Sequence, residues 1–132
     1  MTVGGAVRGE IRSGLVVLLG VARDDDASAA DRLATKVARL RIFEDDHGKF
    51  DRSILDAGGS ALVVSQFTLI ADTRKGNRPS FAGAASPEQA EPLYERFCNA
   101  LQAEGVPVET GEFAARMSVE LVNEGPVTIV LE

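Results

Sequence analysis

Apolar residues along the chain fall into stretches that predict strands. Residues 15–19 form a continuous apolar run rich in β-branched side chains, which predicts a strand buried on both faces. Residues 61–70 predict a long central strand, and residues 116–122 alternate apolar with polar side chains as a half-buried strand does. Residues 127–131 predict a last strand that pairs with a neighbour.

Helical spacing appears first after the acidic turn at residues 24–26. Ser28 with Asp31 three positions later has the pattern of a capping box, so we expect a helix to begin at Ser28 and to end near residues 41–43. Its apolar stripe would be formed by Leu33, Val37 and Leu40.

The second helix has clear boundary signals. Ser86 is the expected N-cap, Pro87 the first helical residue and Gln89 the end of a capping box. Gly105 is expected to stop the helix, and Pro92 in the second turn predicts a kink or a late start. Its buried stripe would be Leu93, Phe97 and Leu101. The order of strand, helix, strands, helix, strands predicts an α+β fold.

Length and charge limit the functional classes. The 132 residues suffice for one domain, and no apolar run is long enough to cross a bilayer, so we expect no membrane partner. The single cysteine, Cys98, excludes an internal disulfide and suits a reducing cytoplasm. A net charge of −6 argues against a protein that coats nucleic acid, but a small basic patch remains compatible with gripping one RNA end.

The first candidate site is Ser65-Gln66-Phe67-Thr68, which places three polar side chains in an otherwise apolar strand. One interpretation is simple alternation, with one face of the strand in solvent. The other is that these polar groups face a pocket and hold a substrate, because buried polar groups without partners are costly.

The second candidate is Asn123-Glu124-Gly125-Pro126-Val127-Thr128. Asn, Gly and Pro between two strands ordinarily form a turn. Glycine before proline also permits a cis bond without a Cβ clash, so a rigid piece of backbone here would be able to probe a substrate with no side chain of its own.

Together these two segments resemble the signature motifs of the D-aminoacyl-tRNA deacylase family. Residues 40–44 (Leu-Arg-Ile-Phe-Glu) and 71–81 (Ala-Asp-Thr-Arg-Lys-Gly-Asn-Arg-Pro-Ser-Phe) resemble the family too, from about Gly9 to the C-terminus. Family members usually begin with an apolar strand bearing Gln-Arg-Val before the turn at Gly4-Gly5. That strand is not in the sequence, and we expect its absence to leave a sheet edge unpaired.

The resemblance implies a fold, an activity and an assembly. The expected fold is a single α+β domain, residues 1–132, whose largely antiparallel twisted sheets form a partly closed barrel with two main helices. The implied activity is hydrolysis of the ester between a D-amino acid and tRNA, with glycyl-tRNA as a second substrate. The implied assembly is a homodimer in which Gly125-Pro126, with a cis bond, enters the partner's pocket and refuses L side chains; Ser65 and Asn123 complete the substrate-binding set.

The chemical step is expected to depend on Gln66, Phe67 and Thr68. Thr68 as a nucleophile needs a neighbouring base, and neither His47 in a predicted turn nor Cys98 in a helix is a strong candidate for chemistry. We favour backbone groups of these three residues that position substrate and water, assisted by the vicinal ribose hydroxyl. We expect no metal and no other cofactor, since no cluster has metal-ligand spacing.

The loop that follows carries the cations expected to grip tRNA, Arg74, Lys75 and Arg78, although an ordinary solvated loop has the same composition. DNA is not an expected partner. Two rival functions remain open. One is a dimeric small-molecule or RNA-binding module without turnover, and the other is a hydrolase of small esters or amides that ignores the RNA.

Overall fold

The computed structural model describes all residues, 1–132, in seven strands, three α-helices and one 3-10 helix. In chain order these are β1 (Thr2–Val3), β2 (Ala6–Val7), β3 (Gly14–Leu19), α1 (Ala27–Arg39), β4 (Phe43–Glu44), β5 (Phe50–Arg52), α2 (Ile54–Ala57), β6 (Ser60–Ser65), the 3-10 turn (Phe67–Ile70), α3 (Pro87–Ala103) and β7 (Val108–Thr110). The α+β class and the two main helices, α1 and α3, are as predicted.

The central sheet is parallel, which corrects the expected largely antiparallel barrel. Its order is β3-β6-β7, with Gly14 opposite Ser60 and Leu19 opposite Ser65 in the first pair. Each connection between neighbouring strands contains a long helix, α1 or α3, and such crossovers return the chain in the same direction. Only the short pairs β1-β2 and β4-β5 are antiparallel, and no sheet closes into a barrel.

The two strands predicted after β7 are absent. Ser118 makes one isolated bridge to Thr2, with N···O distances of 2.8 and 2.9 Å, and no residue from 119 to 132 makes a backbone–backbone hydrogen bond. Two apolar positions of the predicted strand 116–122, Met117 and Val119, pack against a small cluster containing Leu62, whereas the third, Leu121, is 52% exposed. An alternating pattern does not show which strand pairs with the segment, and no strand of this chain is hydrogen-bonded to residues 119–132 through the backbone.

Helix α1 begins one residue earlier than predicted and ends sooner. Asp26 is its N-cap: the backbone there is extended, and the carboxylate accepts from the Ala29 amide at 2.8 Å. Ser28 therefore lies inside the helix, because the preceding acidic residue already satisfies a free amide of the first turn. The helix ends at Arg39, with Leu40 as its C-cap.

Helix α3 begins as predicted, at Pro87 after the N-cap Ser86, which accepts from the Gln89 amide at 3.4 Å. Gln89 does not complete a capping box, because its side chain donates to the Arg23 carbonyl at 2.7 Å. The helix neither starts late nor stops at Pro92, and it continues to Ala103. No helix of the protein is both long and apolar enough to span a membrane.

The main core lies between the central sheet and the two long helices. Tyr94 of α3 joins the two layers, since its hydroxyl donates to the Val63 carbonyl of β6 at 2.8 Å. This bond fixes β6 two residues before its end at Ser65, which is where the first candidate site begins. The fully buried residues of this core include Ala34, Ala38, Ile54, Ala61, Val63, Phe97 and Leu101.

Candidate functional site

The predicted strand 61–70 is in fact two elements, and the change of conformation falls inside the first candidate motif. Strand β6 ends at Ser65, Gln66 adopts φ −139° and ψ 83°, and the 3-10 turn follows. The Gln66 amide still donates to the Leu19 carbonyl of β3 at 2.8 Å, so the turn begins at the end of the sheet. Strand alternation therefore does not decide where the side chains of Gln66, Phe67 and Thr68 point.

The 3-10 turn is exposed but held by side chains. Phe67 is 57% exposed and packs edge-on against Phe81, with ring centroids 5.0 Å apart. The Gln66 side-chain amide donates to the Thr68 hydroxyl. Ser65 is half-buried at the strand end. Ser65, Gln66, Phe67 and Thr68 thus form one corner, where β6 ends and the 3-10 turn begins.

Two backbone donors in this corner have no acceptor within the chain. The first amides of a helical turn lack a partner inside it, and here these are the amides of Phe67 and Thr68. Neither donates to another backbone group or to a side chain, whereas the next amide, of Leu69, donates to the Gln66 carbonyl at 3.2 Å. The corner is therefore able to offer two adjacent N–H groups to a substrate oxygen.

A side-chain nucleophile has little support from the surroundings of Thr68. Its hydroxyl is paired with the Gln66 amide, which donates a hydrogen and is no base. His47 lies in the turn between β4 and β5, its backbone amide bonded to Asp45 at 2.8 Å. Cys98 is buried in α3, and burial raises the pKa of its thiol to about 11. Neither residue contacts the 3-10 turn through a hydrogen bond.

The second motif forms an exposed loop with its own internal bonds. The Asn123 side chain accepts from the Val127 amide at 3.0 Å and donates to the Thr128 hydroxyl at 2.9 Å. The Gly125–Pro126 peptide bond is cis, as the resemblance implies. Gly125 has a φ of +128°, a conformation that L side chains rarely adopt, and a Cβ there would lie 2.9 Å from Val127 Cγ2. Glycine is thus required for this loop shape.

The two motifs are not joined within one chain. No hydrogen bond links the Asn123–Thr128 loop to the 3-10 turn, and all the bonds of the loop stay inside it. Apolar side chains on both sides of the loop are exposed to solvent: Leu121 (52%), Val122 (92%), Ile129 (49%) and Val130 (83%).

The cationic loop after the turn is closed by paired backbone bonds between Asp72 and Ser80, with N···O distances of 2.7 and 2.8 Å. Arg74 is bound by Asp72 in the same loop, at 3.0 and 2.7 Å, and these hydrogen bonds hold the pKa of the Asp72 carboxyl below its ordinary value. Lys75 and Arg78 are exposed and form no salt bridge. Two of the three predicted cations are therefore free of a protein anion.

Two residues that support the corner were not singled out from the sequence. Phe81 lies in the stretch that resembles the family, but the sequence assigns it no role. Gly20 directly follows the apolar run 15–19, and nothing else in the sequence marks it. A Cβ on Gly20 would lie 3.1 Å from Leu69 Cβ and 3.2 Å from the Gln66 carbonyl oxygen. Nothing in the local sequence indicates that close approach, because it joins residues about fifty positions apart.

Comparisons with known proteins agree along the whole chain. A family model described as D-Tyr-tRNA(Tyr) deacylase matches residues 1–132. A protein of Symbiobacterium thermophilum named D-aminoacyl-tRNA deacylase is 62% identical over 132 residues, covering 100% of this chain and 87% of that protein. A protein of the same name from Deinococcus radiodurans is 60% identical over 131 residues, covering 99% and 90%.

Two solved structures resemble the fold. One, named c-Myc DNA Unwinding Element Binding Protein, has a TM-score of 0.91 and 40% identity, covering 99% of this chain and 89% of that one. The other, described as a "probable eukaryotic D-amino acid tRNA deacylase", has a TM-score of 0.63 at 19% identity, covering 77% and 75%. The second likeness concerns the fold alone.

Proposed function

Because the chain belongs to the D-Tyr-tRNA(Tyr) deacylase family, we propose that it hydrolyses the ester of D-aminoacyl-tRNA to free D-amino acid and tRNA at the corner formed by Gln66, Phe67 and Thr68. The chain is accordingly a hydrolase. Two relatives named D-aminoacyl-tRNA deacylase are 62% and 60% identical to it and cover 100% and 99% of the chain. This similarity disfavours a binding module without turnover. Cytoplasmic action agrees with the free thiol of Cys98.

The observation that carries the mechanism is the pair of unpartnered amides of Phe67 and Thr68. Water attacks the ester carbonyl carbon, and the carbonyl oxygen becomes an oxyanion that accepts hydrogen bonds from these two N–H groups. The bond from that carbon to the ribose oxygen then breaks, and the departing ribose oxygen takes up the proton that the attacking water gives up. No protein nucleophile is needed, and the vicinal ribose hydroxyl lies beside the reacting carbonyl to assist.

The test removes one amide while a matched variant keeps it. Phe67→Pro and Phe67→Ala both lose the aromatic ring, but only proline loses the N–H. Gln66 has a φ of −139° and a ψ of 83°, outside the helical region that a following proline disfavours, and proline is common at the first position of a helical turn. We expect kcat of Phe67→Pro to fall below that of Phe67→Ala by roughly 100-fold or more, the usual effect of losing one oxyanion donor. Equal rates in the two folded variants would contradict the backbone mechanism.

Chirality is assigned to the Asn123–Thr128 loop of a second subunit. Because no hydrogen bond joins this loop to the corner of its own chain, the site would be completed when another copy brings Gly125 and Pro126 to it. Backbone atoms of the loop would then occupy the space that an L side chain needs, whereas a D side chain points away. A glycyl ester has no side chain to refuse, so glycyl-tRNA is proposed as a second substrate.

Substrate handedness is tested with D-tyrosyl-tRNA, L-tyrosyl-tRNA and glycyl-tRNA at equal concentrations. We expect release from the D and glycyl esters and none above the uncatalysed rate from the L ester. Equal rates on D and L esters would contradict the chirality filter. Equal rates on D-tyrosyl-tRNA and on a D-tyrosyl ester of a small alcohol would favour a small-ester hydrolase.

The tRNA contact is assigned to the loop of Arg74, Lys75 and Arg78, which follows the corner directly and leaves Lys75 and Arg78 free of protein anions. DNA binding, which the name of one similar structure states for that protein, gains no support from a chain of net charge −6.

A further inference from the structure

Gly20 lies at the closest approach between the central sheet and the 3-10 turn. It follows β3 directly and is half-buried. A Cβ added there would meet Leu69 Cβ at 3.1 Å, the Gln66 carbonyl oxygen at 3.2 Å and Ile70 Cδ1 at 3.3 Å. All three atoms belong to the 3-10 turn or to its N-cap Gln66, and the same turn carries the Phe67 and Thr68 amides.

The need for glycine here is one of space rather than of backbone conformation. Gly20 does not have a positive φ, unlike Gly125, so alanine suits its backbone. The distances are shorter than ordinary carbon–carbon and carbon–oxygen contacts, so a methyl group would displace its neighbours by a few tenths of an ångström. Two of the three neighbours, a backbone oxygen and a Cβ, are fixed to the main chain and move only with it.

A second segment also packs against the turn. Phe81 packs against Phe67 from the segment that follows the cationic loop. That segment is bonded to the chain just after Gly20, from the Arg23 amide to the Gly83 carbonyl at 3.0 Å and from the Ala85 amide to the Val21 carbonyl at 2.9 Å. The turn is therefore packed against both Gly20 and the segment 81–85, and a displacement at Gly20 reaches the turn's backbone.

We propose that Gly20 is a positioning residue for deacylation: its missing side chain sets how closely the 3-10 turn lies against β3, and hence where the Phe67 and Thr68 amides point. The proposal depends on the placement of the reaction at this corner. Catalytic hydrogen bonds are sensitive to displacement, and a shift of about 1 Å is able to cost on the order of 100-fold in rate. A few tenths of an ångström should then cost roughly 10-fold.

The chain offers a matched control in Gly83. Gly83 also faces Ile70 of the same turn, but a Cβ there would lie 3.5 Å from Ile70 Cγ2, an ordinary contact, and its φ is not positive either. Gly20→Ala and Gly83→Ala thus each add a methyl group next to the same turn. Only the first is expected to move the turn's backbone.

The experiment measures kcat and KM for D-tyrosyl-tRNA together with the melting temperature. For Gly20→Ala we expect kcat to fall roughly 10-fold with KM within about 3-fold of wild type, since transition-state contacts are lost and substrate binding is kept. For Gly83→Ala we expect both constants to stay at wild-type values. A lower melting temperature for Gly20→Ala with unchanged kcat would overturn the proposal, because that is what a purely structural role predicts.

A second variant keeps the test decisive if Gly20→Ala does not fold. Ile70→Val removes the Cδ1 atom that would meet the new methyl group, so Gly20→Ala/Ile70→Val has more room. We expect its kcat to lie below that of Ile70→Val alone, because the new methyl group still meets Leu69 Cβ and the Gln66 carbonyl oxygen. Equal kcat for the double variant and Ile70→Val would count against Gly20.

Whether the reaction takes place at this corner is tested separately, by the NMR chemical shifts of the backbone amides in the wild-type protein. The probe is an adenosine with D-tyrosine attached through a non-hydrolysable 3′-amide. Shifts of the Phe67 and Thr68 amides on adding it place the reaction at the corner, and the kinetics then decide on Gly20. If these amides stay unperturbed while others shift, the proposed site is wrong, and with it the role of Gly20.

Discussion

At the residue scale, Thr68 separates the two mechanisms that its motif allows. The hydroxyl is bonded to the Gln66 amide and has no base beside it, so it should position the turn rather than attack the ester. We expect Thr68→Val, which keeps the shape and removes the hydroxyl, to lower kcat by no more than about 10-fold, because both backbone donors remain. Single-turnover deacylation of D-tyrosyl-tRNA measures this.

Thr68→Ser is the matched variant, since it keeps the hydroxyl and loses the methyl group. A nucleophilic mechanism predicts a near-wild-type rate for serine and a loss of roughly 10,000-fold or more for valine. That outcome, with substrate binding intact, would restore the side-chain nucleophile.

Cys98 gives a pH dependence of stability rather than of catalysis. Burial raises the pKa of the folded thiol to about 11 from its ordinary value of 9.0. Between these values the unfolded chain loses its thiol proton while the folded chain keeps it, so the free energy of unfolding falls as pH rises through this window. Below pH 9 both states hold the proton and this contribution is complete.

The measurement is the urea midpoint of unfolding for wild type and Cys98→Ala, taken from below the ordinary thiol pKa of 9.0 up to the folded value of about 11. We expect a smaller alkaline decline in the variant, although its midpoint is lower throughout because of the cavity. A residual decline remains, since burial also raises the pKa of Tyr94. Parallel profiles for the two proteins would show that the thiol does not titrate with unfolding.

At the scale of elements, the sequence predicted best where the signal is local. Ser86, Pro87 and Gly105 bound α3 as expected, because capping and the conformations of proline and glycine act within a few residues. The prediction of one strand over residues 61–70 was wrong, because the apolar composition continues through Phe67–Ile70 while the backbone there turns. That turn depends on contacts with Gly20 and Phe81, which are distant in sequence.

The cationic loop is an element whose charges differ in availability. Lys75 and Arg78 form no salt bridge, whereas Arg74 is bound to Asp72. We expect Lys75→Ala and Arg78→Ala each to weaken tRNA binding and to reduce the slope of log K against log salt by about one phosphate contact. Binding titrations of tRNA over a range of salt concentrations measure the slope.

Lys49→Ala is the control, because Lys49 is an exposed cation in the turn between β4 and β5. Its slope should equal that of wild type. If Lys49→Ala and Lys75→Ala reduce the slope equally, the attraction is a general effect of charge and the loop has no special part in it.

At the scale of the whole molecule, local patterns gave the number and type of the main elements but not how they pair. The direction of the sheet follows from the helical crossovers between β3, β6 and β7, and reading the chain as an antiparallel barrel missed this. The strands expected after β7 have a strand-like sequence without a strand beside them in this chain. The neighbour of a strand depends on contacts between residues distant in sequence, which local patterns do not record.

The C-terminal segment therefore supports a prediction about assembly. Residues 119–132 make no backbone–backbone hydrogen bond, and Val122 and Val130 are 92% and 83% exposed. Backbone groups and apolar side chains in this state are satisfied when a second copy covers them. We expect light scattering to give twice the 14.0 kDa chain mass, and Val122→Glu to shift the protein toward monomer with loss of deacylation. Ala57→Glu, the same charge on an exposed residue of α2, should remain dimeric and active.

Mixing two inactive chains decides whether the dimer shares its sites. Phe67→Pro disables the corner. Gly125→Val should leave the partner's site incomplete and inactive, because valine at a φ of +128° is strained and crowds Val127, so the loop loses its shape. If each site combines the corner of one subunit with the loop of the other, a mixed dimer keeps one site free of both changes. An equal mixture exchanged to equilibrium should then recover roughly a quarter of wild-type activity, since half of the dimers are mixed and each has one working site.

If each site is built within one chain, the first mixture should stay inactive, because every subunit carries its own defect. A Phe67→Pro/Gly125→Val chain mixed with wild type separates the two arrangements further. With shared sites, one site of each mixed dimer contains the altered corner and the other contains the altered loop. Only wild-type dimers then work, and about a quarter of the activity remains. With sites confined to one chain, every wild-type subunit keeps its own site and about half remains. Recovery in the first mixture and the lower value in the second would together establish the exchanged site.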